Sequence, residues 1–329
     1  MARSWQSFCA ALVSVVFFGV SGCSTPGGAL VTGGAKYVYF FSESGGSYTL
    51  MRYPAGANGK YVSAASSIAL PAYFTPSSIQ VDSSGGVYVG GLGTTTPPQV
   101  LYYAAGATSP TRILNTGPFT PIIALDASGV LYVTGLVSGT ISVYAAGASG
   151  TATPIRTIQL PASFSGTYES VALSVDSTGN LYLAGNFGAH YSGEVIIVNG
   201  SSSGAVTPLR TIDVAAVLYG VSVDGSGNFY LSETFSGPSG VTTPSAIAEY
   251  SSTSNSAVKT LTLSGTTPSI MNGLQVDGEG NVFALMQTLN GNVLSPSVIG
   301  VGPTAKGTLN PGSQAVLASL GVAPWFAAK

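Results

Sequence analysis

Val175 to Gly185 reads V-D-S-T-G-N-L-Y-L-A-G, and the same pattern recurs with small edits from Val81, Leu125, Val223 and Val276. Ahead of each acid, apolar residues alternate at period two, as in Ile79 and Val81 or Leu173 and Val175, the mark of a half-buried strand. Asp176 can then accept a hydrogen bond from a backbone N–H two residues on. Gly179 can take the left-handed conformation that closes a tight hairpin. The pairs Asp82/Gly85, Asp126/Gly129, Asp224/Gly227 and Asp277/Gly280 repeat the arrangement. Calcium wants six to eight oxygens around it, and single carboxylates on separate turns do not supply them, so these acids read as turn formers.

Working outward, the aromatic of each repeat falls at Tyr39, Tyr88, Tyr132, Tyr182, Tyr230 and Phe283, at intervals of 49, 44, 50, 48 and 53 residues. A period near fifty filled by four short strands is a propeller blade. In the third unit, strands are expected over 122–125, 131–134, 141–145 and 154–160. The last of these carries a P-x-R-T-I tail, with Arg156, Arg210 and, more loosely, Arg112 at the basic position. On an outermost strand, proline withholds a donor that has no partner and a cation keeps the edge soluble. A ladder for phosphates or anionic lipids is the functional alternative.

The expected fold is therefore all-β, a six-bladed β-propeller of four-stranded antiparallel blades over residues 35–329, closed by a C-terminal strand. The first unit starts directly at Lys36 and lacks an innermost strand, while the last has residues to spare. Part of 322–328 is expected to fill that inner place. The rival reading is a helix over 314–320, broken by Pro324.

The N-terminus carries an address. Arg3 supplies a positive start, residues 8–20 an apolar run of 13, and Val20-Ser21-Gly22-Cys23 resembles a bacterial lipobox. A membrane span needs about 20 apolar residues, so residues 1–22 read as a lipoprotein signal peptide. Cys23 becomes the lipidated first residue of the mature chain, followed by a flexible tether over 23–34. Ser24 after the cysteine, by resemblance to didermal lipoproteins, favours the outer membrane. Cys9 leaves with the leader, so no thiol remains for disulfides, thiol catalysis or cysteine-bound metal.

Composition narrows the partners. Charged residues are 7% of the chain, against roughly a quarter in an average soluble protein. Removing Arg3 leaves nine basic against twelve acidic residues, with no basic face for nucleic acid. The 17 Tyr and 13 Phe argue against disorder.

The V-D-x-x-G-N-[LFV]-Y-[LV] repeats resemble those of the NHL-repeat and gluconolactonase/regucalcin-like six-bladed propellers, over residues 35 to about 302. That group often places Asp at the end of the second strand. Here Gly91, Gly135 and Gly185 stand there, with Glu233 the only acid. The resemblance implies one possible chemistry, a lactonase using calcium or zinc, with Glu43, Glu169, Asn186, Glu233 and Asn272 as candidates near the channel. The lactonases take an essential Glu from the innermost strand of the first blade, and 322–328 contains none.

No catalytic set is legible from the residues themselves. His190 is the only histidine, which leaves no zinc pair and only one route to a triad, and no cofactor is expected. Function on a rigid scaffold concentrates in its variable loops, here 42–47, 92–98, 136–140, 186–194, 233–246 and 287–295 with the inter-blade links. The candidate binding face comprises Glu43, Tyr73, Phe119, Tyr168, Glu169, Asn186, Phe187, His190, Tyr191, Tyr219, Glu233, Phe235 and Asn272. These residues point to a binding or interaction module for an envelope protein, peptide or glycan. A lactonase-like hydrolase and a purely structural envelope lipoprotein are the alternatives.

Overall fold

The structure is a computed structural model. It describes residues 18–21, 37–44, 46–54, 66–93, 96–135, 138–161, 168–187, 192–234, 245–263, 269–276, 280–290, 293–301, 307–309 and 316–319. Every regular element among them is a β-strand, and the strands fall into six sheets. The first holds β1 (Phe18–Ser21), β2 (Tyr37–Ser44), β3 (Ser47–Pro54) and β4 (Ser66–Ala69). The second holds β5 (Phe74–Val81), β6 (Val87–Gly93), β7 (Gln99–Tyr103) and β8 (Arg112–Asn115). The third holds β9 (Pro121–Leu125), β10 (Leu131–Gly135), β11 (Thr140–Tyr144) and β12 (Arg156–Gln159).

The fourth sheet holds β13 (Tyr168–Val175), β14 (Asn180–Phe187), β15 (Ser192–Asn199) and β17 (Arg210–Val214), while the short β16 (Gly204–Ala205) pairs in parallel with β12. The fifth holds β18 (Val217–Val223), β19 (Phe229–Thr234), β20 (Ala246–Tyr250) and β21 (Lys259–Leu263). The sixth holds β22 (Ser269–Val276), β23 (Val282–Asn290), β24 (Val293–Val301) and β26 (Val316–Ser319), and β25 (Gly307–Leu309) pairs in parallel with β21. Each sheet is an antiparallel meander of four strands, and the third and fifth gain a short parallel fifth. The arrangement is propeller-like.

The repeated motif makes the first hairpin of the second to fifth sheets. Oδ1 of Asp176 accepts from the N–H of Thr178 at 2.9 Å, its Oγ1 at 2.7 Å and the N–H of Asn180 at 2.8 Å. Asp82, Asp126 and Asp224 hold the equivalent backbone N–H groups two and four residues on. Gly179 sits at φ +84°, the left-handed region that glycine enters without cost. The second oxygen of Asp176 accepts from the Tyr182 hydroxyl at 3.2 Å, so the motif's acid and aromatic are bonded to each other.

The cores lie between sheets. Tyr182, Ala184, Val195 and Ile197 of the fourth sheet pack on Val221, Phe229, Leu231 and Ala248 of the fifth. Comparable clusters join the first to the second sheet, the second to the third, the third to the fourth and the fifth to the sixth. Successive inner strands touch in chain order, β5 with β9, β9 with β13, β13 with β18 and β18 with β22. Side chains also stitch them: the Ser78 hydroxyl donates to the Pro121 carbonyl at 2.8 Å, and the Ser222 hydroxyl accepts from the Val276 N–H at 3.0 Å.

Several expectations are revised. The innermost place of the first sheet is held by β1, which pairs Phe18 with Phe40 through Ser21 with Tyr37; 322–328 lies outside the described residues. Where a helix over 314–320 was the rival reading, Val316–Ser319 is a strand on the outer edge of β24. An open edge offers backbone partners that a short local helix does not, and tertiary context overrides propensity. The tail arginines neither merely solubilise an edge nor form a free ladder. Arg156 donates to the Gly200 carbonyl at 2.7 and 3.0 Å. Arg210 donates to Asn255 Oδ1 and to the Ser252 carbonyl, both at 2.7 Å, and to the Ser254 carbonyl. Each guanidinium thus clasps the turn that precedes the outer strand of the following sheet.

Candidate functional site

The ends of the sheets opposite the Asp turns carry the candidate site. Strand pairing runs further toward these ends than the sequence implies, because cross-strand bonds continue past the motif. Asn186 lies in β14, opposite Gly193, and Glu233 lies in β19, opposite Ala246 and Leu218. The expected loops 186–194 and 233–246 are therefore shorter than read, and two of the polar candidates are strand residues.

Asn186 acts as a piece of backbone. Its amide nitrogen donates to the Leu218 carbonyl at 2.9 Å and its amide oxygen accepts from the Leu218 N–H at 2.8 Å. These two bonds complete a bridge beside the irregularity between Leu218 and Gly220 in β18. The bulge residue there is Tyr219, and β5, β13 and β22 bulge at the equivalent Ser77, Val171 and Asn272. A bulge re-aims a side chain, and here it falls four residues before the motif's leading apolar residue each time.

Glu233 is 5% exposed. It alternates with Phe229 and Leu231, which face the fourth sheet, so its carboxyl points between sheets rather than into the channel. The Tyr250 hydroxyl donates to its Oε1 at 3.2 Å. Burial pushes the Glu233 pKa up to about 7, with the Tyr250 bond opposing. Glu194 in β15 is likewise 5% exposed. Its pKa is pushed up to about 7 by burial, reinforced by Asp213, its cross-strand neighbour. Tyr250 and Asp213 were not singled out from sequence; each is recognisable only once strand register is known.

Gly91 and Gly135 have a steric reason to carry no side chain. A Cβ on Gly135 would come within 2.2 Å of the Phe119 Cβ, and one on Gly91 within 2.4 Å of the Phe74 ring. The link aromatics lie directly on these glycines. Phe119 remains 44% exposed, Tyr73 36% and Leu92 37%, and all three sit at this end of the second and third sheets.

Glu43 lies in β2, and Tyr168 and Glu169 in β13, opposite Phe187 and Asn186. Asn272 is the bulge residue of β22. Tyr168, Glu169, Asn186, Phe187, Tyr219 and Glu233 are thus gathered at one end of the fourth and fifth sheets. His190, Tyr191, Phe235 and Cys23 lie outside the described residues. Between β5, β9, β13, β18 and β22 there is a cavity of about 30 Å³, room for about two waters. Tyr219 and Gln275 line it, while Asn186 and Glu233 do not. Among the described residues, no three of His, Cys, Asp or Glu come together as a metal could use.

No protein-family model matches the chain and no curated protein matches its sequence. Three solved structures show a general likeness. A protein of unknown function from Bacteroides caccae is 14% identical at a TM-score of 0.47, over 74% of this chain and 80% of its own. A glucose dehydrogenase is 10% identical at 0.48, over 78% and 93%. Hsv2 from Kluyvelomyces marxianus is 10% identical at 0.43, over 83% and 70%. Likeness of this degree says nothing of a ligand for this chain.

Proposed function

We propose that the chain is a six-bladed propeller of the NHL-repeat kind, its ring closed by a strand from 322–328. It is held at a bacterial cell envelope by lipid on Cys23 and binds a partner at the end of the sheets opposite the Asp turns. The observation that carries the binding reading is the set Tyr73, Leu92 and Phe119. These three large apolar side chains stand exposed at that one end of two adjacent sheets. Water penalises such exposure, and Phe119 is propped outward on Gly135. A peptide, a glycan face or a protein loop would cover these side chains, and the chain's low charge suits apolar contact over electrostatic steering.

The lactonase reading finds less support. Asn186 is committed to Leu218, Glu233 points between sheets, and the cavity of about 30 Å³ among the inner strands is smaller than a sugar lactone.

Co-purification from membranes of the lipidated chain tests the proposal. Tyr73→Ala with Phe119→Ala should lose the captured partner at least tenfold while shifting the melting temperature by under about 3 °C, since neither side chain is buried. Retained capture would place binding elsewhere. Cys23→Ala should move the chain to the soluble fraction, and unchanged fractionation would remove the anchor from the proposal.

A further inference from the structure

Among the described residues, the most exposed large apolar side chains are Leu209, Val258 and Ile155, at 61%, 57% and 56%. They occupy one position of the repeat. Each stands immediately before the Arg or Lys that opens the fourth strand, β12, β17 or β21, of three successive sheets. The N–H groups of Ile155, Leu209 and Val258 donate to the carbonyls of Val143, Ile197 and Glu249 at 2.8, 2.7 and 2.8 Å, which fixes the backbone against the neighbouring strand. Ile158, Ile212 and Leu261, three residues on, turn into the cores. The two-residue period of a strand therefore leaves the three exposed side chains on the opposite side, toward solvent.

All three lie at the Asp-turn end, and that end offers little free charge. The segments 104–111, 145–155, 199–209 and 251–258, which precede the fourth strands there, contain no Asp, Glu, Lys or Arg. The turn acids bond inward to backbone N–H groups. Arg112 lies over the Tyr102 ring at 3.9 Å, Arg156 and Arg210 clasp turns, and Lys259 pairs with Glu249 at 3.5 Å. Exposed aliphatic side chains on an uncharged surface fit the interfacial zone of a bilayer, where apolar groups are buried at the level of the headgroups.

The course of the chain points the same way. β2 is second in its sheet, as β10 is in the third, and so starts at the Asp-turn end. Ser21 and Tyr37, the described residues that bracket Cys23, are opposed to each other there. Residues 24–36, taken as the tether, span about 20 Å as a coil, so a lipid on Cys23 keeps this end of the sheets near the membrane.

We propose that the Asp-turn end is a membrane-seating surface, with Ile155, Leu209 and Val258 immersed in the interface of the bilayer that holds the lipid. This rests on the lipid reading of Cys23 above and is independent of any captured partner. The lipid supplies retention and the three side chains supply orientation. The third to fifth sheets rest on the membrane by their Asp-turn ends, and the end bearing Tyr73, Leu92 and Phe119 is turned away from it. Because the seat carries no free charge, neutral and anionic bilayers serve alike and salt does not release it.

Fluorescent labels quenched by lipid test this, because Cys9 and Cys23 are the only native cysteines; processing removes the first and acylates the second. The lipidated chain carries one reporter at an exposed position, Ser149→Cys or Ser203→Cys at the Asp-turn end, or Ala72→Cys at the other. Each is labelled with NBD and reconstituted in vesicles of phosphatidylethanolamine and phosphatidylglycerol that contain a nitroxide-labelled lipid. Labels at 149 and 203 should be quenched at least about twofold more than at 72, equally at low and high salt. Ile155→Ser with Leu209→Ser and Val258→Ser should abolish that difference while the chain stays with the vesicles. Its melting temperature should hold, because all three side chains are exposed. Equal quenching at the three sites, or a difference that survives the triple substitution, overturns the proposal. Quenching that high salt abolishes does so too, since it makes the attraction electrostatic. Labels at 149 and 203 shielded from lipid, in chains that cross-link in pairs at this end, make a second copy the occupant and overturn it equally. A mass showing Cys23 without lipid overturns the anchor reading, and this proposal with it. A lipidated chain with indifferent labels overturns this proposal alone.

Discussion

Asp176 shows how much one side chain of the repeat does. Its Oδ1 satisfies two backbone N–H groups and a hydroxyl, and its Oδ2 receives Tyr182 and the Asn180 amide at 3.0 Å. The residue is 4% exposed, so the donors it serves would not all find water in its absence. Hydrogen bonds to charged groups contribute about 1.5–3 kcal/mol each where removal leaves a partner unsatisfied. Their overlap at one carboxylate makes the sum smaller than the count of bonds implies. Asp176→Ala is therefore expected to cost about 2–4 kcal/mol in denaturant unfolding of the purified chain. A loss under about 0.5 kcal/mol would mean that the left-handed Gly179 alone holds the turn. The same bonds explain the Tyr182 phenol, whose pKa rises through burial first and the adjacent Asp176 charge second.

The outer strands of the second, third and fifth sheets owe their cover to the sheet that follows. Leu114 bridges in parallel to Gly150, β12 to β16, and β21 to β25, so edges that would otherwise template aggregation are closed from within the chain. Arg210 belongs to this device, and burial lowers its pKa. Arg210→Met keeps the stem and removes the bonds to Ser252, Ser254 and Asn255. It should cost about 1–2 kcal/mol and raise amide hydrogen exchange over 251–258 while leaving 176–180 protected; unchanged exchange would make the clasp a surface ornament. None of this was legible locally, since the partner turn lies 42–45 residues away. By contrast, the strands read at 122–125 and 131–134 stand at Pro121–Leu125 and Leu131–Gly135, because alternation and an Asp–Gly turn are nearest-neighbour signals. The site lay between these cases. Phe119 and Tyr73 were legible as link aromatics, whereas Glu233 was read as a loop acid because nothing in its neighbours marks where cross-strand pairing stops. The pairing of Phe18–Ser21 with β2 was not legible either, because a four-residue apolar run does not mark its partner strand.

At the scale of the whole molecule, buried carboxylates govern how the sheets tolerate pH. Glu194 lies against the core shared by the third and fourth sheets and Glu233 against that shared by the fourth and fifth, each with its pKa raised to about 7. Unfolded, both return to an ordinary value near 4.3. Between those two values the folded chain binds more protons than the unfolded one, so stability is fully present below about pH 4 and is lost as pH rises through about 7. Little else competes in that window, because the chain has one histidine. Each group can weigh on the order of 2–3 kcal/mol across the window, and each kcal/mol corresponds to roughly 2 °C in a domain of this size. The melting temperature should therefore rise as pH is lowered from 8 to 5, the reverse of a protein held together by paired carboxylates. Glu194→Gln with Glu233→Gln should flatten that dependence, leave stability at pH 5 nearly unchanged and increase it at pH 8. The Gln chain keeps the volume and a polar acceptor for Tyr250 but carries no charge into the interface. A double variant less stable than the parent at pH 8 would show instead that the ionised carboxylates are held by a cation or positive group at the sheet interfaces.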